Sequence, residues 1–101
     1  MRQATVSAPA VMVAPVTVTI PTALARLFPD CVTRMKIDAA TVAEAIDALD
    51  ARWPGMRDRI CDSRPAIRRH INVFVNGQRS TLDAPLPPRS EMLVMTAISG
   101  G

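Results

Sequence analysis

The residues of this chain best suited to chemistry are its last two, Gly100 and Gly101. They follow an apolar run with the pattern of a strand, so they predict a short, unhindered arm that ends in a carboxylate. A glycine pair after a helix would instead be typical of a cap or a frayed end. A carboxylate at the tip of a flexible arm is accessible to a second protein. The tail therefore predicts that the terminal carboxylate is a substrate.

Other reactive side chains are few and scattered. Cys31 and Cys61 lie far apart, with a spacing typical of neither a disulfide framework nor a metal site. The sequence does not place the single histidine, His70, near either cysteine, so a thiol-based activity would lack a base. We interpret both cysteines as reduced, largely buried thiols of a cytoplasmic protein. We predict no catalytic residue and no metal site in the chain.

Arginine is concentrated in one stretch. The formal net charge is +3, and half of the basic residues lie close together: Arg52, Arg57, Arg59, Arg64, Arg68 and Arg69. Acidic residues such as Asp58 and Asp62 are interleaved with them, which favours a solvated face of mixed charge. A partner with an acidic patch is the second interpretation. Nucleic acid, whose phosphates arginine clusters can bind, is the third, and we predict no such partner.

The length of 101 residues predicts one domain with a modest, mainly aliphatic core, because 49% of the residues are apolar but only 3% are aromatic. No apolar run approaches the length of a membrane span, so we predict no membrane partner. Pro9 and Pro15 interrupt the apolar start, which argues against a signal peptide. We predict that residues 1–15 form a mobile arm ahead of a domain at 16–101.

The first half of that domain carries two strand patterns and one helix pattern. Residues 16–20 and 32–37 alternate apolar and polar side chains, as half-buried strands do. Thr41 and Glu44 form a capping box, in which each side chain accepts the other's backbone N–H. An apolar stripe follows at helical spacing, which predicts a helix over 41–53. The stripe consists of Val42, Ile46, Leu49 and Trp53.

The second half predicts three further strands. Residues 71–75 are apolar except for Asn72 and are a strand candidate. Asn76-Gly77 behind them is a strong signal for a type I′ turn into a short strand over 78–82. Residues 92–97 are the last strand. One helix across one mixed sheet of four to five strands is the β-grasp arrangement, an α+β fold. We expect its core to contain Val16, Val18, Ile20, Ile46, Leu49, Val73, Val75 and Val94.

This order of elements, with the Asn-Gly turn and the terminal Gly-Gly, resembles the ThiS/MoaD family of ubiquitin-like sulfur carriers. Residues 18–22 and 69–76 look most like its CysO-type branch, which delivers sulfur for cysteine synthesis. The resemblance spans residues 16–101. The chain departs from the family before the last strand, where Pro87-Pro88-Arg89-Ser90-Glu91 replaces the usual acidic-glycine turn. That departure affects a turn and leaves the tail unchanged.

The resemblance implies a non-enzymatic carrier. A ubiquitin-activating-type enzyme would use ATP to adenylate Gly101, and sulfur would displace AMP to give a C-terminal thiocarboxylate. Ile98, Ser99 and Gly100 would be recognised in the partner's channel, where a side chain at either glycine would crowd the attack. The chain itself would bind no cofactor. A sulfur-accepting biosynthetic enzyme, cysteine-synthase-like or similar, would receive the sulfur.

Alternation also predicts a docking surface. If Val73 and Val75 face the helix, then Phe74, Leu93 and Met95 lie on the opposite face of the sheet, together with Thr17 and Thr19. Large apolar groups on such a face are typical of docking sites. The alternative is that residues 1–15 or a second copy of the chain cover them.

Three further functions remain open at this stage. The same adenylate would serve a ubiquitin-like modifier joined to lysines through Gly101. The tail could also belong to the small subunit of a molybdopterin synthase. The last alternative is a β-grasp interaction module in which the glycine pair has no chemical role.

Overall fold

The computed structural model describes residues 15–64 and 66–96. Within them the chain forms five strands and three helices. In order they are β1 (Val16–Thr19), α1 (Thr22–Ala25), β2 (Arg34–Ile37), α2 (Val42–Arg52), α3 (Met56–Ile60), β3 (Ile71–Val75), β4 (Gln78–Ser80) and β5 (Glu91–Thr96). None of the helices in this part of the chain is long and apolar enough to cross a membrane.

The strands form one mixed sheet in the order β2-β1-β5-β3-β4. The pair β1–β5 at its centre is parallel, with Val18 opposite Met92, and the other three pairs are antiparallel. Helix α2 packs on one face, where its buried side chains join those of the strands in a single cluster. This is the predicted β-grasp arrangement. The eight side chains predicted for the core are all buried.

Helix α2 begins next to the predicted cap. The Glu44 N–H donates to Thr41 Oγ1 at 3.2 Å, as expected. The reciprocal bond differs from the prediction, because the Glu44 carboxylate accepts the N–H of Ala40, at 3.0 Å, instead of that of Thr41. The reason is tertiary: Thr41 lies in an isolated antiparallel bridge with Pro85, which extends the chain ahead of the helix.

Strand β4 ends two residues earlier than predicted, at Ser80. The chain leaves the sheet there and passes the start of α2. The carbonyls of Leu82 and Ala84 accept the N–H groups of Ala43 and Val42, each at 3.0 Å. Those donors have no partner within the helix, so this loop satisfies them in place of extending the strand.

Other boundaries also differ by one or two residues. β1 ends at Thr19, one residue before its predicted end, and β2 begins at Arg34, later than position 32. The segment between them contains the helical turn α1, which buries Leu24. Trp53, expected as the last member of the α2 stripe, follows the helix as its cap residue and packs half-buried against the core. β5 begins one residue early, at Glu91, and its predicted end at position 97 lies outside the described residues.

Candidate functional site

The predicted tail follows β5, the strand between β1 and β3. Thr96, the last described residue, pairs with Ile71 of β3. The predicted attachment residue Gly101 and the tail residues Ile98, Ser99 and Gly100 lie outside the described residues. β5 pairs with β1 as far as Leu93 and with β3 as far as Thr96, so the sheet holds the strand up to the residue before the tail.

The sheet face opposite α2, called the outer face below, carries the predicted docking residues. Phe74 and Leu93 are directly opposite each other on β3 and β5, and Met95 is opposite Asn72. Leu93 is 37% exposed and Met95 46% exposed, whereas Phe74 is half-buried. The alternation predicted from the sequence is confirmed, since Val94 between the two exposed residues is fully buried.

Strand register extends this patch into a row that crosses all five strands. Arg34 pairs with Thr19, Thr19 with Leu93, Leu93 with Phe74, and Phe74 with Arg79. The row therefore has two apolar residues near its centre and an arginine at each end. Sequence reasoning missed this flanking charge, because pairing between distant strands is not visible in local patterns.

The surroundings of the two cysteines do not favour thiol reactivity. Cys61 is buried and Cys31 half-buried, and both thiols are free. Burial raises the pKa of each, so a smaller fraction is thiolate at neutral pH than in a free cysteine. Nor do the described residues bring three or more histidine, cysteine or acidic side chains together in a geometry that could hold a metal ion.

The basic loop after α3 is organised by one carboxylate. Asp62 Oδ1 accepts the backbone N–H groups of Arg64 and Ala66, each at 2.9 Å. Asp62 Oδ2 accepts two guanidinium N–H groups of Arg64, at 2.7 and 3.0 Å. These bonds from Arg64 lower the pKa of Asp62. The sequence contains the signal for this turn, an aspartate two residues before the first N–H that it accepts.

The helical arginines are also partly paired. Arg57 forms an ion pair with Asp47 at 2.9 Å, and the Arg52 guanidinium lies over the Trp53 ring at 5.7 Å. The first interpretation of the arginine-rich stretch, a solvated face of mixed charge, is therefore correct for these residues. Arg59 and Arg69 form no ion pair with any carboxylate in the described ranges.

Comparison with known proteins places the chain in a family. A model described as the ThiS family matches residues 19–101. The small archaeal modifier protein 1 of Haloferax volcanii is 32% identical over 69 residues, which cover 67% of this chain and 79% of that protein.

Solved structures agree in fold. A chain of the Amycolatopsis orientalis BexX/CysO complex is 31% identical, with a TM-score of 0.76, over 85% of this chain and 99% of that chain. Mycobacterium tuberculosis CysO is 24% identical, with a TM-score of 0.73, over 82% of this chain and 99% of that one, a likeness of fold alone. Because the family model extends from β1 through the terminal glycines, the chain belongs to the ThiS family of ubiquitin-like β-grasp proteins.

Proposed function

We propose that this protein is a sulfur carrier whose Gly101 carboxylate is adenylated and then converted to a thiocarboxylate. The observation that carries the proposal is the match to the ThiS family model, which includes the terminal Gly-Gly. Similarity to a chain of the two-protein BexX/CysO complex supports a carrier that works together with a partner protein. A biosynthetic enzyme, such as one that makes cysteine, would transfer this sulfur to its acceptor substrate.

The chemistry divides between the chain and its partners. A free carboxylate resists nucleophiles, because it is negatively charged and stabilised by resonance. A Gly101 oxygen would attack the α-phosphorus of ATP on an adenylating enzyme and release pyrophosphate. A sulfur nucleophile would then form the C–S bond as the C–O bond to AMP breaks. The chain is a co-substrate in this scheme, and its partner enzymes supply the catalysis.

The outer face is the proposed docking surface for these partners. Phe74, Leu93 and Met95 expose apolar area on the same sheet from which the tail leaves. A partner bound there would hold the tail root in place while residues 97–101 enter its active site. The glycines suit that purpose because a Cβ would narrow the space around the reacting carbonyl.

The test is mass spectrometry after incubation with ATP, the cognate adenylating enzyme and a sulfide source. Removal of Gly101 should abolish conversion, and Gly100→Ala should slow it strongly, while both variants keep the parent melting temperature. Ser63→Ala is the control, because it is a small change at an exposed residue outside the tail and should react at the normal rate. Normal conversion of the truncated chain would show that Gly101 is not the attachment site.

A second candidate function is protein modification. The similarity to small archaeal modifier protein 1 favours it, since the same adenylate could be attacked by a lysine amine to form an isopeptide bond. Intact mass of protein purified from its host separates the two functions. A thiocarboxylate adds only the mass difference between sulfur and oxygen, whereas a conjugate adds the mass of a whole protein.

A further inference from the structure

A groove of about 530 Å³ lies beside the β3–β4 edge of the sheet, outside the apolar patch of the outer face. Its aliphatic lining includes Ile67, Ile71, Val73 and Leu82. Ile71 and Val73 are buried members of the core, whereas Ile67 and Leu82 are half-buried. The groove therefore offers apolar contact area to a narrow ligand.

Four arginines also line this groove, called the arginine groove below: Arg57, Arg68, Arg69 and Arg79. Arg57 is paired with Asp47, and Arg68 Nε donates to the Asp58 carbonyl at 2.8 Å. Arg69 and Arg79 are exposed and pair with no carboxylate within residues 15–64 and 66–96. Asp83 is the acidic member of the lining, so the groove has an excess of positive charge and attracts acidic ligands.

The groove runs along the β4 edge of the sheet, whose outer side can receive another strand. β4 pairs only with the last three residues of β3, from Val73 to Val75. The Ile71 N–H already donates to the Arg68 carbonyl at 2.9 Å, so the backbone open to a further strand within the described residues is the outer side of β4, the last strand of the sheet. Arg79 of β4 also ends the row on the outer face, so the two surfaces meet at this edge. An extended peptide can add to such an edge through main-chain bonds while its side chains enter adjacent pockets.

The lining favours protein over nucleic acid. It contains no phenylalanine, tryptophan or tyrosine among its described residues, so bases would have no aromatic surface on which to stack. Aliphatic side chains beside arginines are instead complementary to a peptide in which apolar residues alternate with carboxylates.

We propose that the arginine groove binds an extended acidic segment of a partner protein, with its carboxylates at Arg69 and Arg79 and its aliphatic side chains against Ile67 and Leu82. Ile71 connects this groove to the tail, because it pairs with Thr96 at the tail root. A partner bound here is held one strand away from the tail while leaving the apolar patch of the outer face free. A role of the groove in holding a partner near the tail rests on the proposed function. Binding of the acidic segment to the groove does not depend on it.

The binding is tested on the full chain by NMR titration with a short synthetic peptide that alternates valine and glutamate. Amide shifts should move at Ile71, Val73, Ser80 and Leu82, and added salt should weaken binding. A matched peptide that alternates valine and lysine should leave those amides unmoved. Equal binding of both peptides, or no shift in the groove, would overturn the proposal. So would an RNA oligonucleotide that moves these amides when the acidic peptide does not.

Charge reversal locates the contact. Arg69→Glu combined with Arg79→Glu should weaken binding of the acidic peptide by about tenfold, since two exposed charge pairs become repulsive. Arg34→Glu combined with Lys36→Glu is the matched control on β2, the opposite edge of the sheet. Equal loss in both variants would show non-specific attraction and contradict the proposed site. Because the readout needs no tail chemistry, failure here is distinguishable from failure of Gly101 to react.

Discussion

Leu49 shows how much one side chain contributes to a core with few aromatic groups. It lies on α2, is fully buried, and belongs to the same cluster as the sheet residues. Leu49→Ala should lower the free energy of unfolding by about 2–5 kcal/mol, because the change removes apolar contacts and leaves a cavity. Chemical denaturation measures this loss.

The matched control is Leu27→Ala. Leu27 is 52% exposed in the turn after α1, so the same truncation removes much less buried surface there. Its effect on the free energy of unfolding should be well below that of Leu49→Ala. Equal effects would mean that α2 does not pack on the sheet as the structure shows.

Two glycines illustrate what residue type alone indicates about the backbone. The prediction that Asn76-Gly77 turns the chain between β3 and β4 is confirmed, and Gly55 lies in the turn that follows the end of α2. Gly55 has φ +102° and Gly77 has φ +85°, in the left-handed region. The two positions differ in a way that the sequence does not show. A Cβ at Gly55 would meet Phe28 at 3.4 Å, whereas nothing lies near Gly77.

At the scale of elements, the loop after α3 depends on the charge of Asp62. Its pKa is lowered first by the side-chain hydrogen bond from Arg64, so the folded loop favours the carboxylate. The stabilisation is therefore present above the ordinary aspartate pKa and is lost as the pH falls through the lowered value. At neutral pH, Asp62→Asn should speed hydrogen exchange at the amides of Arg64 and Ala66.

The control for this prediction is Asp58→Asn. The Asp58 carbonyl, part of the backbone, accepts the bond from Arg68, so the substitution leaves that bond intact. Exchange at Arg64 and Ala66 should be unchanged in this variant. If Asp62→Asn also leaves exchange unchanged, then the turn does not depend on the carboxylate.

Elements defined by local patterns were predictable, and those shaped by distant contacts were not. The apolar stripe of α2 and the alternation in β3 and β5 are visible in the local sequence. For this reason Phe74, Leu93 and Met95 could be assigned to one face of the sheet. The early end of β4 could not be predicted, because it depends on loop carbonyls that accept N–H groups of α2. The arginine groove was hidden for the same reason. It brings Arg79 of β4 beside Arg68 and Arg69, which precede β3.

At the scale of the whole molecule, the proposed docking on the outer face can be tested separately from the proposed tail chemistry. Leu93→Gln combined with Met95→Gln should raise the KM of the adenylating enzyme for this chain by about tenfold, since two apolar contacts would be lost from the proposed docking surface. The kcat should change less, because the tail is intact. Steady-state assays of pyrophosphate release measure both constants.

Val32→Gln is the control for that experiment. Val32 is 48% exposed but precedes β2, outside the row of paired residues on the outer face. It should leave KM unchanged. An unchanged KM in the double variant would show that the adenylating enzyme does not dock on the outer face.

The parallel pairing of β1 with β5 has a mechanical consequence. The chain enters the sheet at the start of β1 and leaves it at the end of β5, and these two points lie at opposite ends of the pair. A force that pulls on the two termini therefore slides one strand along the other, in shear, and must strain the bonds between them together. A pull on the tail while the start of β1 was held would load this pair as a unit, so the paired strands would resist that force together.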